Sequence, residues 1–282
     1  MFGSCGSASA QIPPGIHRIS DLASSQVLVG YAGRVSGWSS ENARSFGAVA
    51  DDYDRFRPTY AAEAVLWALG ERPLRVADIG AGTGILSRLL QRLGHEVVAV
   101  EPDDQMRRRL VEASPGVTAL AGSAEDIPLA DGSMDAVVAG QSYHWFDPER
   151  AHPEIVRVLR PGGVFAAMWN DADMEVPWTV RYVEIVDGSA VAVFTREVSD
   201  FGVHFGPAMQ GEFRHDMPMT VDGLVALAAT RSPYLVAGEQ GRREMVAAIR
   251  AMAAEHGLAG VFPMPHVTRV HRAERRASLQ GA

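Results

Sequence analysis

The chain has 282 residues and no lysine, so all 26 of its basic side chains are arginines. The absence removes any oxidoreductase chemistry that depends on a Tyr-x-x-x-Lys pair. Cysteine is almost missing too. Cys5 is the one thiol, no internal disulfide can form, and a reducing, cytoplasmic setting is expected. No stretch approaches the roughly 20 apolar residues of a membrane span. The start, Met-Phe-Gly-Ser-Cys-Gly-Ser, has no basic region followed by an apolar one, so no secretory signal is expected. A positive excess is lacking as well: the formal net charge is −8, which opposes nucleic acid. The one basic run, Arg269 to Arg276, reads as a solvated terminal segment. No Gly-x-Ser-x-Gly elbow suggests a hydrolase. His204, Glu212 and His215 are too few and too scattered for a metal ligand set.

What is present centres on Val76-Ala-Asp-Ile-Gly-Ala-Gly-Thr-Gly84. Val76 to Ile79 reads as a buried strand. Ile85, Leu86, Leu89, Leu90 and Leu93 recur at helical spacing, so the three glycines fall in a strand-to-helix turn. Glycine permits positive φ and lets a ligand approach where a Cβ would stand, with unpaired N–H groups of a helix start behind it. The dinucleotide fingerprint wants its third glycine at position 85, and this chain has isoleucine there. Glu101 follows the apolar run Val97 to Val100, seventeen residues past Gly84, where an acid is placed to accept hydrogen bonds from a ribose diol. The two features suggest a ligand with a ribose and no pyrophosphate.

Strands and helices alternate around this turn: helix 61–69, strand 75–79, helix 83–93, strand 96–100, helix 104–113, strand 117–121, strand 135–139, helix 148–159, a turn at Arg160 to Gly163, and strand 164–170. Alternation specifies a parallel sheet covered on both faces, with ligands beyond the carboxyl ends of its strands. Later elements are an amphipathic stretch 176–186, an unassigned apolar run 190–194, a strand 213–219, helices 220–229 and 240–255, and a strand 267–271. Residues 1–43, rich in Gly and Ser, read as a weakly ordered extension. Phe46, Val49 and Tyr53 recur at helical spacing in the segment that Pro58 closes.

With Val76 to Gly84, Val97 to Pro102 and Gln141-Ser-Tyr-His-Trp-Phe-Asp147 on the page, the chain resembles the class I S-adenosylmethionine-dependent methyltransferases, in particular the small-molecule type with a His-Trp loop. The resemblance implies an α/β, doubly wound, mostly parallel seven-stranded Rossmann-like sheet with helices on both faces. The domain would span 44–273, with helical lid elements at about 172–210 and 220–256, a closing two-stranded hairpin, and a tail at 274–282. It implies S-adenosylmethionine as cofactor, held by Asp78, Gly80, Ala81, Gly82, Thr83, Gly84, Glu101, Pro102, Ala124, Glu125 and Gln141. Tyr53, Arg57, Tyr60, His144, Trp145, Trp169 and Asn170 become candidates for the acceptor side.

Methyl transfer from a positive sulfur asks the protein mainly to align the acceptor and exclude water. His144 is the one obvious base for a hydroxyl or amine acceptor; with a carboxylate acceptor it would only position, and it is also able to serve as a packed wall. The expected activity is methyl transfer to a small organic acceptor at oxygen, nitrogen or carbon. An NAD(P)-dependent oxidoreductase and a non-catalytic binding module on the same fold are the alternatives. No nucleic-acid or membrane partner is expected, and the sequence does not specify an oligomeric state.

Overall fold

Each central strand is apolar on both faces, because it is covered on both. In the computed structural model, which describes residues 54, 56–188, 198, 200–276 and the backbone of 16–18, successive residues divide between two layers. Ala77, Ile79, Val98, Val100, Val137, Ala139, Phe165 and Ala167 pack on one side with Ala151, Ile155 and Val158. Val76, Val97, Ala99, Ala136, Val138, Ala166 and Met168 pack on the other with Val65, Leu86, Leu90 and Leu110. Such continuous runs are the mark of buried parallel strands.

Those strands are β2 (Arg75–Ile79), β3 (Glu96–Val100), β4 (Thr118–Leu120), β5 (Met134–Gly140) and β6 (Leu159–Ala172). They pair in parallel in the order β4-β3-β2-β5-β6. The order reverses between β2 and β5, and the crevice at such a switch point is where ligands enter. Covering helices are α1 (Ala62–Leu69), α2 (Ile85–Arg92), α3 (Asp104–Ala113) and α4 (Pro148–Val158). Their starts are written locally. Asp103 accepts from the N–H groups of Gln105 and Met106 to cap α3, and Asp147 accepts from Glu149 to cap α4, with Pro148 in its first turn.

Beyond β6 the sheet turns antiparallel. Among the described residues come α5 (Pro177–Asp187), β7 (Met209–Met219), α6 (Val221–Ala229), α7 (Ser232–Val236), α8 (Glu239–Glu255) and β8 (Phe262–Glu274). Strand β8 lies between β6 and β7, antiparallel to both. The expected seven strands are therefore present in a mixed sheet. An eighth, β1 (Ile16–Arg18), pairs with the start of β7, inside the stretch expected to be a weakly ordered extension. Helices α5, α6 and α8 share a separate apolar cluster that includes Trp178, Tyr182, Leu224, Leu227, Ile249 and Met252.

Three expectations need correction. The turn at Arg160 to Gly163 is a bulge inside β6: pairing jumps from Met134↔Leu159 to Ala136↔Val164, and Gly162 takes φ 76°. The end of the supposed lid segment 172–210 belongs to the main core, where Phe201, Phe205 and Ala208 are buried. The basic run from Arg269 is no solvated tail. It lies within β8, with Val270, His271 and Ala273 buried between arginines. Arg269 pairs with Glu212 and Asp171, and Arg275 donates to the Leu159 carbonyl. The runs 45–53 and 190–194 lie outside the described residues.

Two glycines separate backbone strain from packing. Gly84 (φ 83°) and Gly94 (φ 90°) both sit in the left-handed region, but a Cβ at Gly84 would stand 2.8 Å from Leu110 Cγ and Ser114 Oγ, while one at Gly94 meets nothing within 4 Å among the described residues. Alanine at either is expected to cost about 1–2 kcal/mol for conformation, and Gly84→Ala about 1–3 kcal/mol more for overpacking. Urea unfolding of the two variants checks this; equal losses would refute the packing role of Gly84.

Candidate functional site

The turn after β2 is pinned to the end of β3: Gly80 N–H and Ala81 N–H both donate to the Val100 carbonyl, at 2.8 and 3.2 Å. Its three glycines all have positive φ, yet they face different surroundings. A Cβ on Gly80 would lie 2.6 Å from Ser142 Cβ, so this glycine admits the loop after β5. Gly84 admits α3. At Gly82 a Cβ would meet no atom of the described residues within 4 Å, so among them the missing side chain leaves open space.

Two buried carboxylates flank that space. Glu101, 7% exposed, accepts from Gly82 N–H through Oε2 and from Asp103 N–H through Oε1, each at 2.8 Å. Burial raises its pKa, and the two N–H bonds oppose the rise. Asp78, 1% exposed, accepts from Ser87 Oγ at 2.6 Å through Oδ2. Its Oδ1 is buried with no hydrogen-bond partner among the described residues. Burial pushes Asp78 up to about 7, with a further rise from Glu101 and a partial offset from Ser87. A buried carboxyl with an unused oxygen is a receptor for a cation or a donor. Two acids beside a helix start also disfavour a pyrophosphate there.

The other loops of the crevice are built from short-range bonds. After β4, Ser123 and Asp126 pair across a tight turn that carries the buried Ala124 and Glu125, whose Oε1 accepts from Asp147 N–H at 3.0 Å. After β5, Gln141 has φ 55°, the one positive value at a non-glycine among the described residues. Its side chain donates to the Asn170 carbonyl at 2.9 Å. Such strain persists where surrounding structure imposes it, often at functional sites. Ser142 Oγ then donates to the Ile79 carbonyl at 2.7 Å, and Tyr143–Trp145 forms one 3-10 turn.

That turn rests on aromatic rings. The Tyr143 hydroxyl bonds His152 Nε2 at 3.0 Å, and its ring meets Phe165, Phe201 and Trp169. Burial pushes the Tyr143 hydroxyl up to about 12. His144 is exposed above this base, beside Trp145. Trp169 Nε1–H donates to His144 Nδ1 at 3.4 Å. Indole nitrogen only donates, so this bond assigns the neutral imidazole proton to Nε2.

Other candidates are committed to the scaffold. Asn170 donates to the Thr59 carbonyl at 2.8 Å and accepts from Thr268 Oγ1 at 3.0 Å. Arg57 donates to Thr230 through Nε and Nη2, each at 3.1 Å. Tyr60 is buried with its hydroxyl against Gly140. Thr83 is buried, and Pro102 is exposed beside Glu101. Tyr53 lies outside the described residues. Sequence reasoning missed Ser87, Ser142 and Arg88, which hold the turn from behind. A serine or arginine on a helix face carries no pattern that marks such a role.

A family model described as "Methyltransferase domain" matches residues 77–167. An uncharacterized methyltransferase of Mycobacterium tuberculosis is 39% identical over 238 residues, covering 81% of this chain and 95% of that protein. The chain belongs to the class I S-adenosylmethionine-dependent methyltransferases. An uncharacterized methyltransferase of Schizosaccharomyces pombe is 32% identical over 190 residues, covering 64% of this chain and 76% of the relative. Among solved structures, one assigned as a type II methyltransferase from Anaeromyxobacter dehalogenans is similar with a TM-score of 0.56 and 25% identity, over 78% of this methyltransferase and 98% of that chain.

The raised pKa of Asp78 sets the sign of a pH effect. The folded protein keeps a proton that the unfolded chain releases near 3.8, so this group's contribution to ligand-free stability is full below that pH and is lost as pH rises toward about 7. At 1.36 kcal/mol per unit the loss is at most on the order of 4 kcal/mol. Asp78→Asn is expected to flatten the pH dependence of urea unfolding between those values and to exceed the native protein in stability above them. Parallel pH profiles would show that Asp78 is not held protonated.

Proposed function

We propose that this methyltransferase binds S-adenosylmethionine in the crevice between β2 and β5 and transfers its methyl group to a small organic acceptor. One observation carries the reading: the open side of Gly82 lies between a carboxylate that holds its N–H and a second, buried carboxyl with an unused oxygen. Asp78 suits the ammonium of the methionyl part, Gly80 to Gly84 let backbone pass close to it, and Glu101 suits the ribose hydroxyls. Ala124 and Glu125 would border the adenine, and Gln141 opens the wall on the methyl side. Helices α5, α6 and α8 are the candidate lid.

Bound there, the cofactor supplies an electrophilic methyl on a positive sulfur, and displacement by a nucleophile leaves a neutral thioether. The residues of this chain have to orient the acceptor and keep water out. With Nδ1 accepting from Trp169 Nε1–H, His144 is suited to positioning the acceptor, and an acceptor already ionised at neutral pH, a carboxylate above all, needs no proton removed. The oxidoreductase reading has less support: position 85 is isoleucine, lysine is absent, and the buried Asp78 stands at the end of the strand that leads into the glycine turn.

Calorimetric titration with S-adenosylmethionine, its demethylated product and NAD tests the cofactor. Gly82→Arg, which fills the open space, is expected to abolish binding of the first two; unchanged affinity would remove the methionyl part from this turn. For the acceptor, carboxylic acids, phenols and quinones are screened by detecting demethylated cofactor. His144→Ala is expected to lower kcat about 10- to 100-fold through lost orientation of the acceptor with less than a threefold change in cofactor Kd. Equal losses in both would make His144 a packing residue.

A further inference from the structure

The turn that carries His144 is anchored from below by its neighbour. His144 is exposed, whereas the ring of Tyr143 meets Phe165 and Phe201, both fully buried, at 5.7 and 5.5 Å between centroids. Nine residues on, His152 of α4 returns to the same ring: its Nε2 lies 3.0 Å from the Tyr143 hydroxyl, and the two rings are parallel to within 7° at 6.0 Å. The imidazole is hemmed in. Phe201 and Phe205 stand edge-on to it at 6.3 and 6.2 Å, and a Cβ at Gly202 would lie 3.3 Å from its Nδ1. Burial lowers the pKa of His152, with a smaller rise from Asp200 and a further lowering from His204, and burial keeps the Tyr143 hydroxyl protonated. The contact is therefore a hydrogen bond between two groups that the proposed methyl transfer does not use.

We propose that the Tyr143–His152 bond is a pin that sets the orientation of the His144 ring, and that His152 is a positioning residue for the acceptor side of the crevice. That role for the acceptor side rests on the function proposed above. The pin acts along two contacts. Trp169 meets the Tyr143 ring edge to face at 6.1 Å, and Trp169 Nε1–H in turn reaches His144 Nδ1 at 3.4 Å. A hydrogen bond of that length is near its limit, so a small shift of the turn against the indole decides whether it is made. Ring packing alone is non-directional and would hold the Tyr143 ring in the core without fixing how the turn stands. The hydroxyl bond to α4 supplies the direction. Losing it also leaves a half-buried polar group without its partner on α4.

Nitrogen NMR of the ligand-free full chain, labelled with heavy nitrogen in its histidine rings, tests the pin without cofactor or acceptor. Comparison with His144→Ala identifies the His144 signals among the nine histidines. At about pH 8, where an imidazole of ordinary pKa is neutral, the native His144 should show two widely separated ring nitrogens, with the proton on Nε2. Tyr143→Phe removes one oxygen and keeps the ring in the core. In it and in His152→Ala the ratio of the two His144 tautomers should fall about fivefold, the loss of one neutral hydrogen bond. His152→Gln, whose amide reaches as far as Nε2, should restore most of the native ratio. An unchanged ratio in Tyr143→Phe and His152→Ala overturns the pin, and a lowered melting temperature with that result would make His152 a packing residue. If the ratio falls while the native protein fails to bind S-adenosylhomocysteine, the pin stands and the cofactor assignment falls; binding with an unchanged ratio gives the reverse.

Discussion

A carboxyl group buried beneath an open turn constrains everything around it. Asp78 lies one residue from the end of β2, with apolar neighbours on both faces of the sheet, and only Ser87 answers it within the described protein. Its charged form is unfavourable until something positive arrives. The rest of the crevice is arranged so that a ligand is able to arrive. The end of β3 fixes the turn, Gly80 and Gly84 let two neighbouring elements close around it, and of the three glycines Gly82 alone keeps its outer side clear of the described residues. In the proposed function Asp78 is the cation receptor of this site and Glu101 the hydroxyl acceptor beside it.

Much of this was legible in the residues. The runs Arg75 to Ile79 and Glu96 to Val100 are apolar, short and bounded by turn residues, and both strands have the bounds their composition predicts. Illegible features depend on contacts between distant segments. Arg160 to Gly163 has the composition of a turn, and only the register of β5 against β6 makes it a bulge. Arg269 to Arg276 is basic in sequence, but strand pairing sets Arg269 against Glu212 and alternation sets Arg272 beside Glu274, while Val270 and Ala273 are buried on opposite faces of the sheet.

The candidate site divides along the same line. Local spacing was enough to bring Glu101 and the three glycines to one turn. Arg57 and Asn170 looked suited to a substrate, yet their polar atoms are engaged by Thr230, Thr59 and Thr268, partners 98 to 173 residues away. They tie the segment before α1 and the later helices to the sheet. In a chain without lysine, arginine performs this tying repeatedly, with forked donors that bind two partners at once, as Arg88 and Arg157 do.

The claim that Asp78 awaits a cation is tested most directly by counting protons on binding. Calorimetric titration of the native protein with S-adenosylmethionine at about pH 6, in buffers of different ionisation enthalpy, reports the protons exchanged. Since Asp78 is held near 7, the account predicts release of about one proton per cofactor bound, as the ligand's ammonium forces the carboxyl to ionise; the release should be absent in Asp78→Asn. Binding with no proton released, or the same release from the variant, would contradict it.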